Sequence, residues 1–259
     1  MPIHPLASVD PDAEVHPQAD IGPYAIIQGP ARIGANTELG PFSVVLGNTD
    51  IGPNCRIHSH AVVGDLPQDR VYQGESTGCV IGEGTIIREG ATVHRGTGTG
   101  TATTIGQRCY LMTNSHVGHN CVLEDDVTLV SGALLAGHVH VGQRAIISGN
   151  AAVHQFCRIG ELAMIGGLSK ITKDIPPFMM TDQLGEVVGI NFTGMRRGGY
   201  TPQQRVQIRH AFQVIYRSGL SASVVIETLL ENNGTGPMAT LIGFLQAPGA
   251  RGLARSSTH

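Results

Sequence analysis

The sequence predicts an all-β fold, a parallel β-helix, followed by a small C-terminal α-helical domain. Three observations support this prediction. Val, Ile or Leu recurs every six residues from Val9 to Ile171, a small residue follows four positions later, and the chain has 35 Gly and no Trp. No helix has a period of six, whereas hexapeptide repeats are typical of β-helices.

The repeat defines the core. The six-residue step lands on Val, Ile or Leu everywhere except at Asp69, Glu75 and Thr99. Three hexads make one triangular coil of 18 residues, so aliphatic and small residues point inward and stack about 4.8 Å apart. Gly often follows the aliphatic residue, where we expect it to relieve steric restriction at a corner. A core this narrow leaves no room for Trp.

All five cysteines occupy the small inward position of the repeat: Cys55, Cys79, Cys109, Cys121 and Cys157. We expect them to be buried, since free Cys behaves as a small hydrophobic residue. The odd count and the absence of a CxxC motif argue against disulfides and against a Cys zinc site. A reducing cytoplasmic location is favoured.

Two segments interrupt the repeat, residues 65–79 and 96–104. Loops that break a solenoid often cluster on one face and form its binding site. We expect residues 65–79 to contribute to function rather than to be a tolerated insertion. For residues 96–104 a tolerated insertion is the favoured interpretation, and a contribution to function is the alternative.

The repeat ends near Pro176, and a helical pattern begins at Thr201. Thr201, Pro202 and Gln204 form a capping signature for a helix that runs to about Arg217. We expect an irregular link before Thr201. Two further helices are predicted, one from Ser221 through Leu230 that Asn232-Asn233-Gly234 end, and one over Pro237–Gln246. We expect residues 251–259 to fray. We divide the chain into a β-helix domain, 1–190, and a helical domain, 191–259.

Composition excludes several classes of protein. Charged residues make up 14% of the chain and the formal charge is −3, with Lys and Arg scattered, which argues against nucleic-acid binding. The sequence contains no stretch of 18 apolar residues, so it predicts no transmembrane helix. Residues 1–16 do not resemble a signal peptide.

The histidines point to a site. His119, Gly137 and Gln155 are each one coil apart, His138 follows this column by one residue, and His154 precedes it by one. His116 lies one corner away. We therefore predict a functional edge rather than solvent-facing polar decoration.

Two chemistries fit these histidines. Imidazoles from successive coils can bind zinc. His58 and His94 are 36 residues apart, which is the length of two regular coils. The third zinc ligand is expected about five residues after His94, but that position is Thr99, which argues against zinc. Alternatively, a neutral His takes a proton from a hydroxyl that attacks a thioester, while the Gly137 N–H binds the oxyanion. The second chemistry needs no Ser or Cys nucleophile.

The segment Asn114–Cys121 resembles the catalytic segment of bacterial UDP-N-acetylglucosamine 3-O-acyltransferases. Further matching segments cover nearly the whole chain: residues 87–89, 93–97, 135–139, 153–157 and 215–219. The resemblance implies a left-handed β-helix, a cytoplasmic homotrimer with active sites between subunits, and no metal or cofactor. It implies transfer of an (R)-3-hydroxyacyl group from acyl carrier protein to the 3-hydroxyl of UDP-N-acetylglucosamine, the first step of lipid A synthesis.

The resemblance also implies residue roles. His119 is the general base, Asn120 orients its imidazole, and Gly137 donates to the oxyanion. The residues implied to bind substrate are His116, His138, His154 and Gln155, Gln68 and Asp69 across the subunit interface, Arg70 as a displaced cation, and Asn191 and Arg197 toward the nucleotide. Gly167 matches the position that measures the acyl chain, where Gly leaves a deep tunnel.

The chain departs from the family pattern at four positions: Asn120 replaces a usual Asp, Val71 a Lys, Thr193 a Glu and Gly198 an Arg. Since Asn lacks the charge that stabilises imidazolium, we expect slow turnover and a higher kcat in Asn120→Asp. The departures leave open a 3-amino acceptor or another hexapeptide N-acyltransferase. A zinc enzyme of the carbonic anhydrase type and a catalytically weak scaffold are further alternatives.

Overall fold

The computed structural model describes residues 3–231, 235–247 and 249–257, and its repeats form a left-handed parallel β-helix with three faces. Within these residues, face 1 consists of Ser8–Val9, Ile26–Gln28, Val44–Leu46, Val62–Asp65, Thr92–His94, His116–Val117, Leu134–Leu135, Ala152–Val153 and Lys170–Ile171. Face 2 consists of Glu14–Val15, Arg32–Ile33, Asn48–Ile51, Gly78–Ile81, Ala102–Ile105, Val122–Leu123, His140–Val141 and Arg158–Ile159. Face 3 consists of Asp20–Ile21, Glu38–Leu39, Arg56–Ile57, Ile86–Ile87, Tyr110–Leu111, Thr128–Leu129, Ile146–Ile147, Met164–Ile165, Met179–Thr181 and the antiparallel Val187–Ile190.

Strand register shows where the two interruptions lie. In the regular part of face 1, His116 pairs with Leu134, one coil of 18 residues later. Val62 instead pairs with Thr92, and Thr92 with His116. The coil that carries residues 65–79 is therefore two hexads longer than a regular coil, and the coil that carries 96–104 is one hexad longer.

The core consists of the inward columns that the repeat predicts. The aliphatic residues from Ile21 to Ile171 that occupy the inward strand positions are buried, as are the small residues between them. All five cysteines are free and buried, and burial raises the pKa of the Cys79 thiol to about 12. These thiols are consequently packing groups.

The glycines that follow the aliphatic residues do not have the role that the sequence suggested. A Cβ on Gly34 would lie 2.6 Å from the Gly52 carbonyl carbon, and one on Gly118 would lie 2.9 Å from the Ala136 carbonyl carbon. Left-handed backbone occurs instead at corner residues such as Asn36 and Asn120. These two glycines are therefore needed because successive coils approach closely, not because they need unusual φ angles.

Four helices follow the β-helix within the described residues: α1, Phe192–Arg197; α2, Pro202–Arg217; α3, Ala222–Glu231; and α4, Pro237–Gln246. The capping box of Thr201 and Gln204 is present as predicted. The link before Thr201 was expected to lack helix, but Asn191 caps the short α1 by accepting from the Gly194 N–H (2.8 Å). The predicted end of the helix at residues 232–234 lies outside the described residues. The domain boundary between residues 190 and 191 stays a prediction.

The prediction of fraying after residue 250 is wrong for residues 251–257. Leu253 pairs with Asp174 and Ser256 with Val187, and Ala254 is buried. The segment is ordered because the end of the β-helix leaves backbone groups that it hydrogen-bonds. Residues 258–259 lie outside the description. Among the described helices, none is long and apolar enough to cross a membrane.

Candidate active site

A cavity of about 460 Å³ lies on the edge that the histidine spacing singled out. Successive coils of face 1 and the loop at 65–79 form its wall. The lining includes Gln68, His116, His119, Gly137, His154, Gln155 and Lys170. Six of these seven residues are ones that the 18-residue arithmetic or the family resemblance selected, and Lys170 is the exception.

The coils stack at this edge through backbone hydrogen bonds. The His138 N–H donates to the His119 carbonyl (2.9 Å), and the Phe156 N–H donates to the Gly137 carbonyl (3.2 Å). The His138 ring meets His119 edge to face, with ring centroids 5.1 Å apart, and stacks on Phe156 at 4.7 Å. His138 is exposed beside the cavity rather than in its wall. Partial desolvation by its neighbours, and secondarily the nearby His119, lower the pKa of His138.

The tautomer of His119 follows from its neighbour. The Thr97 N–H donates to Asn120 Oδ1 (2.9 Å), which fixes the orientation of the amide. The same Oδ1 lies 2.8 Å from His119 Nδ1, so that nitrogen carries the proton. The lone pair of neutral His119 is therefore on Nε2, the nitrogen that a base needs free.

Both interruptions of the repeat support this arrangement. The Asn120 amide donates to the Thr97 carbonyl and to Thr101 Oγ1, each at 3.1 Å. Glu75 in turn accepts from the Gly98 N–H at 2.8 Å. The loop at 96–104 thus holds Asn120, and the loop at 65–79 holds the loop at 96–104.

Gly137 is required for space beside His119. A Cβ at this position would clash with His119 Nε2 and lie 2.6 Å from Cε1. Among the described residues, no backbone acceptor takes the Gly137 N–H. A free donor therefore lies next to the free lone pair of His119.

The loop at 65–79 reaches His119 of its own chain. Asp69 Oδ2 lies 3.7 Å from His119 Nε2, and Gln68 lines the cavity. Contacts of Gln68 and Asp69 across a subunit interface, which the resemblance implied, stay a prediction. Arg70 and Val71 are exposed, and neither lines the cavity.

His116 is half-buried in the wall. Its Nδ1 lies 2.8 Å from Thr92 Oγ1, and its ring centroid lies 5.3 Å from that of His94. Burial, and then the neighbouring His94, lower the pKa of His116 to about 4. His116 is consequently neutral near pH 7 and acts as a hydrogen-bonding group rather than as a cation.

We expect His116 to make stability depend on pH. The pKa of His116 in the folded protein lies below its unfolded value of about 6.5. Its contribution to the free energy of unfolding is therefore complete above pH 6.5 and is lost as the pH falls toward 4. The difference is on the order of 1–2 kcal/mol, because water screens part of it at a half-buried ring. Urea denaturation of wild type and His116→Asn between pH 7 and pH 4 measures it, with the exposed His16→Asn as control. Equal pH slopes in wild type and His116→Asn would contradict the assignment.

The remaining predicted residues lie elsewhere in the chain. The Asn191 side chain is buried, capping α1 and donating to the Leu162 carbonyl (2.9 Å). Arg197 and Gly198 line a separate cavity of about 400 Å³. Gly167 lies on another corner, where the nearest described atom to an added Cβ is the Gly149 carbonyl oxygen at 3.5 Å. Contacts of these residues with a ligand stay predictions.

The pairing of His58 with His94 that supported a zinc site is wrong. The lengthened coil between them places them on different edges: His58 Nδ1 lies 3.3 Å from Glu89 Oε1, whereas His94 contacts the Leu66 carbonyl. In the described part of the chain, no group of three or more His, Cys, Asp or Glu residues could hold a metal ion.

The sequence interpretation missed two cations at this edge. Lys170 lines the cavity, and Arg251 contacts His154 from the C-terminal segment. Lys170 continues the column of His116, Leu134 and Ala152, so the same arithmetic could have found it. Nothing in the repeat pointed to Arg251.

Comparisons with known proteins agree with the geometry. The model of the family described as UDP N-acetylglucosamine O-acyltransferase, domain 2, matches residues 174–254, and the bacterial transferase hexapeptide model matches 30–65 and 102–137. The acyl-[acyl-carrier-protein]–UDP-N-acetylglucosamine O-acyltransferase of Burkholderia orbicola is 42% identical over 260 residues, 98% of this chain and 99% of that protein.

The chain belongs to the UDP-N-acetylglucosamine O-acyltransferase family. It is an acyltransferase, as the resemblance implied. The solved UDP-N-acetylglucosamine acyltransferase of Francisella novicida superposes with a TM-score of 0.95 at 37% identity, covering 99% of this chain and 95% of that one. A structure from Acinetobacter baumannii gives 0.94 at 39% identity, covering 98% and 100%.

Proposed function

We propose that the chain transfers an (R)-3-hydroxyacyl group from acyl carrier protein to the 3-hydroxyl of UDP-N-acetylglucosamine, the first step of lipid A synthesis. The observation that carries this is the geometry of His119. Its Nδ1 is held by Asn120, and its Nε2 lies beside Gly137, whose N–H has no backbone acceptor in the described part of the chain. Both face a cavity of about 460 Å³. The names of the family members supply the two substrates.

The proposed reaction has two proton transfers. His119 Nε2 takes the proton of the sugar hydroxyl as its oxygen attacks the thioester carbon. The negative charge that develops on the carbonyl oxygen is stabilised by the Gly137 N–H. The C–S bond then breaks, and the imidazolium returns the proton to the departing thiolate of the carrier. No covalent enzyme intermediate is needed, because the thioester is already activated.

We also propose that the protein is a cytoplasmic homotrimer. The family resemblance implies a trimer, and the five free, buried thiols fit a reducing compartment. Light scattering of the purified protein tests the mass. A monomer at working concentration would contradict the trimer.

One assay tests the activity. The purified protein is incubated with 3-hydroxyacyl carrier proteins of several chain lengths and with either UDP-N-acetylglucosamine or its 3-amino analogue. We expect transfer to the 3-hydroxyl with a preference for long acyl chains, because Gly167 leaves space. Absence of transfer to either acceptor, or stoichiometric zinc in the protein, would overturn the proposal.

The structure changes the expectation for Asn120. An Asp at this position would lose the donations to Thr97 and Thr101 and would direct a carboxylate oxygen at the Thr97 carbonyl. We therefore expect the kcat of Asn120→Asp to fall about tenfold, because two modest hydrogen bonds that hold this side chain are lost. This is opposite in sign to the expectation from sequence.

The measurement is kcat at saturating substrates. Asn36→Asp is the control, since Asn36 lies at a similar left-handed corner far from the cavity. A higher kcat in Asn120→Asp would show that stabilisation of imidazolium outweighs the hydrogen bonds of the loop.

A further inference from the structure

The C-terminal segment adds a residue to the edge of the cavity. Arg251 Nη2 lies 2.8 Å from His154 Nδ1, and Arg251 Nε donates to the Gln155 carbonyl at 2.8 Å. Lys173 Nζ donates to the Arg251 carbonyl at 2.9 Å, and Leu253 pairs with Asp174. Arg251 is thus held from both its backbone and its side chain.

These contacts determine the tautomer of His154. A guanidinium only donates hydrogen bonds, so His154 Nδ1 must offer its lone pair. The Gln155 carbonyl also lies 3.3 Å from Nδ1, a contact that would require a proton there. That oxygen already accepts from Arg251 Nε at the shorter distance of 2.8 Å, so the two Arg251 bonds prevail. Neutral His154 therefore carries its proton on Nε2.

We propose that Arg251 is a positioning residue for His154. It fixes the tautomer with Nε2–H, so that the imidazole offers a hydrogen-bond donor to an acceptor oxygen of the ligand in the cavity. The acceptor is a phosphate, hydroxyl or carbonyl oxygen, not a hydrogen-bond donor. The assignment of that ligand as acyl donor or UDP-sugar rests on the proposed function. The tautomer itself does not.

Steady-state kinetics test the effect on substrate binding. In Arg251→Gln we expect KM for one substrate to rise about tenfold with kcat little changed, since a charge-assisted hydrogen bond contributes to binding rather than to the reaction. Arg251→Lys keeps the charge but lacks the fork that bonds both His154 and Gln155, so we expect a similar loss. Arg255→Gln, an exposed cation of the same segment, is the control.

Nitrogen NMR of the free protein tests the tautomer without activity. The ¹⁵N signals of His154, assigned by their loss in His154→Gln, should show Nε2–H in wild type and a mixture of tautomers in Arg251→Gln and Arg251→Lys. Unchanged signals in both variants would overturn the proposal, as would an equal change in Arg255→Gln. If wild type transfers no acyl group, the proposed function fails while the NMR result still decides the role of Arg251.

Discussion

His119→Ala should lose about a thousandfold in kcat/KM for acyl transfer, since general base catalysis contributes about 10²–10⁴-fold. The free Nε2 of His119 faces the space beside Gly137, and Asn120 holds the opposite nitrogen. Removing the ring leaves the cavity and the Gly137 N–H intact, so substrate should still bind. The measurement is kcat and KM with the acyl carrier protein and acceptor that the assay selects.

Two comparisons separate loss of the base from damage to the fold. His140→Ala removes an outward imidazole paired with Glu124 (3.1 Å) on face 2, and its activity should stay near that of wild type. Added imidazole should partly restore His119→Ala, because the truncated side chain leaves room for it. Retained activity in His119→Ala would remove it as the base and direct attention to Asp69, 3.7 Å away.

The fold was predictable because one physical rule repeats. Each coil buries aliphatic and small residues at the same positions, so a period of six predicts the inward positions of every regular coil. The same arithmetic brought His119, Gly137 and Gln155 together. It failed for His58 and His94 because the coil between them is two hexads longer, and coil length at an insertion is not visible in the period.

The parts of the site that sequence could not predict depend on contacts between distant segments. Arg251 reaches His154 only because residues 251–257 pair with the end of the β-helix. The amide of Asn120 is bonded by Thr97 and Thr101, whose positions depend on a loop outside the repeat. Such contacts are set by backbone pairing and loop closure, for which this single sequence has no periodic signal.

Gly137→Ala should lose about a hundredfold in kcat/KM although the backbone N–H remains. The new Cβ would lie 2.6 Å from His119 Cε1 and 3.0 Å from Cδ2, so the ring must turn and give up its bond to Asn120 Oδ1. A misplaced base costs about this much even where all the groups are present. Gly189→Ala is the control, since a Cβ there would meet no atom of the described residues within 4 Å.

A double-mutant cycle separates the two roles of Gly137. If the methyl group acts through His119, Gly137→Ala should cost little in a His119→Ala background, giving a large interaction energy between the two positions. If it acts by blocking the oxyanion at the N–H, its cost should be the same in both backgrounds. The first result would show that this glycine serves the base, as expected from the three atoms nearest to its Cβ, which all belong to the His119 imidazole.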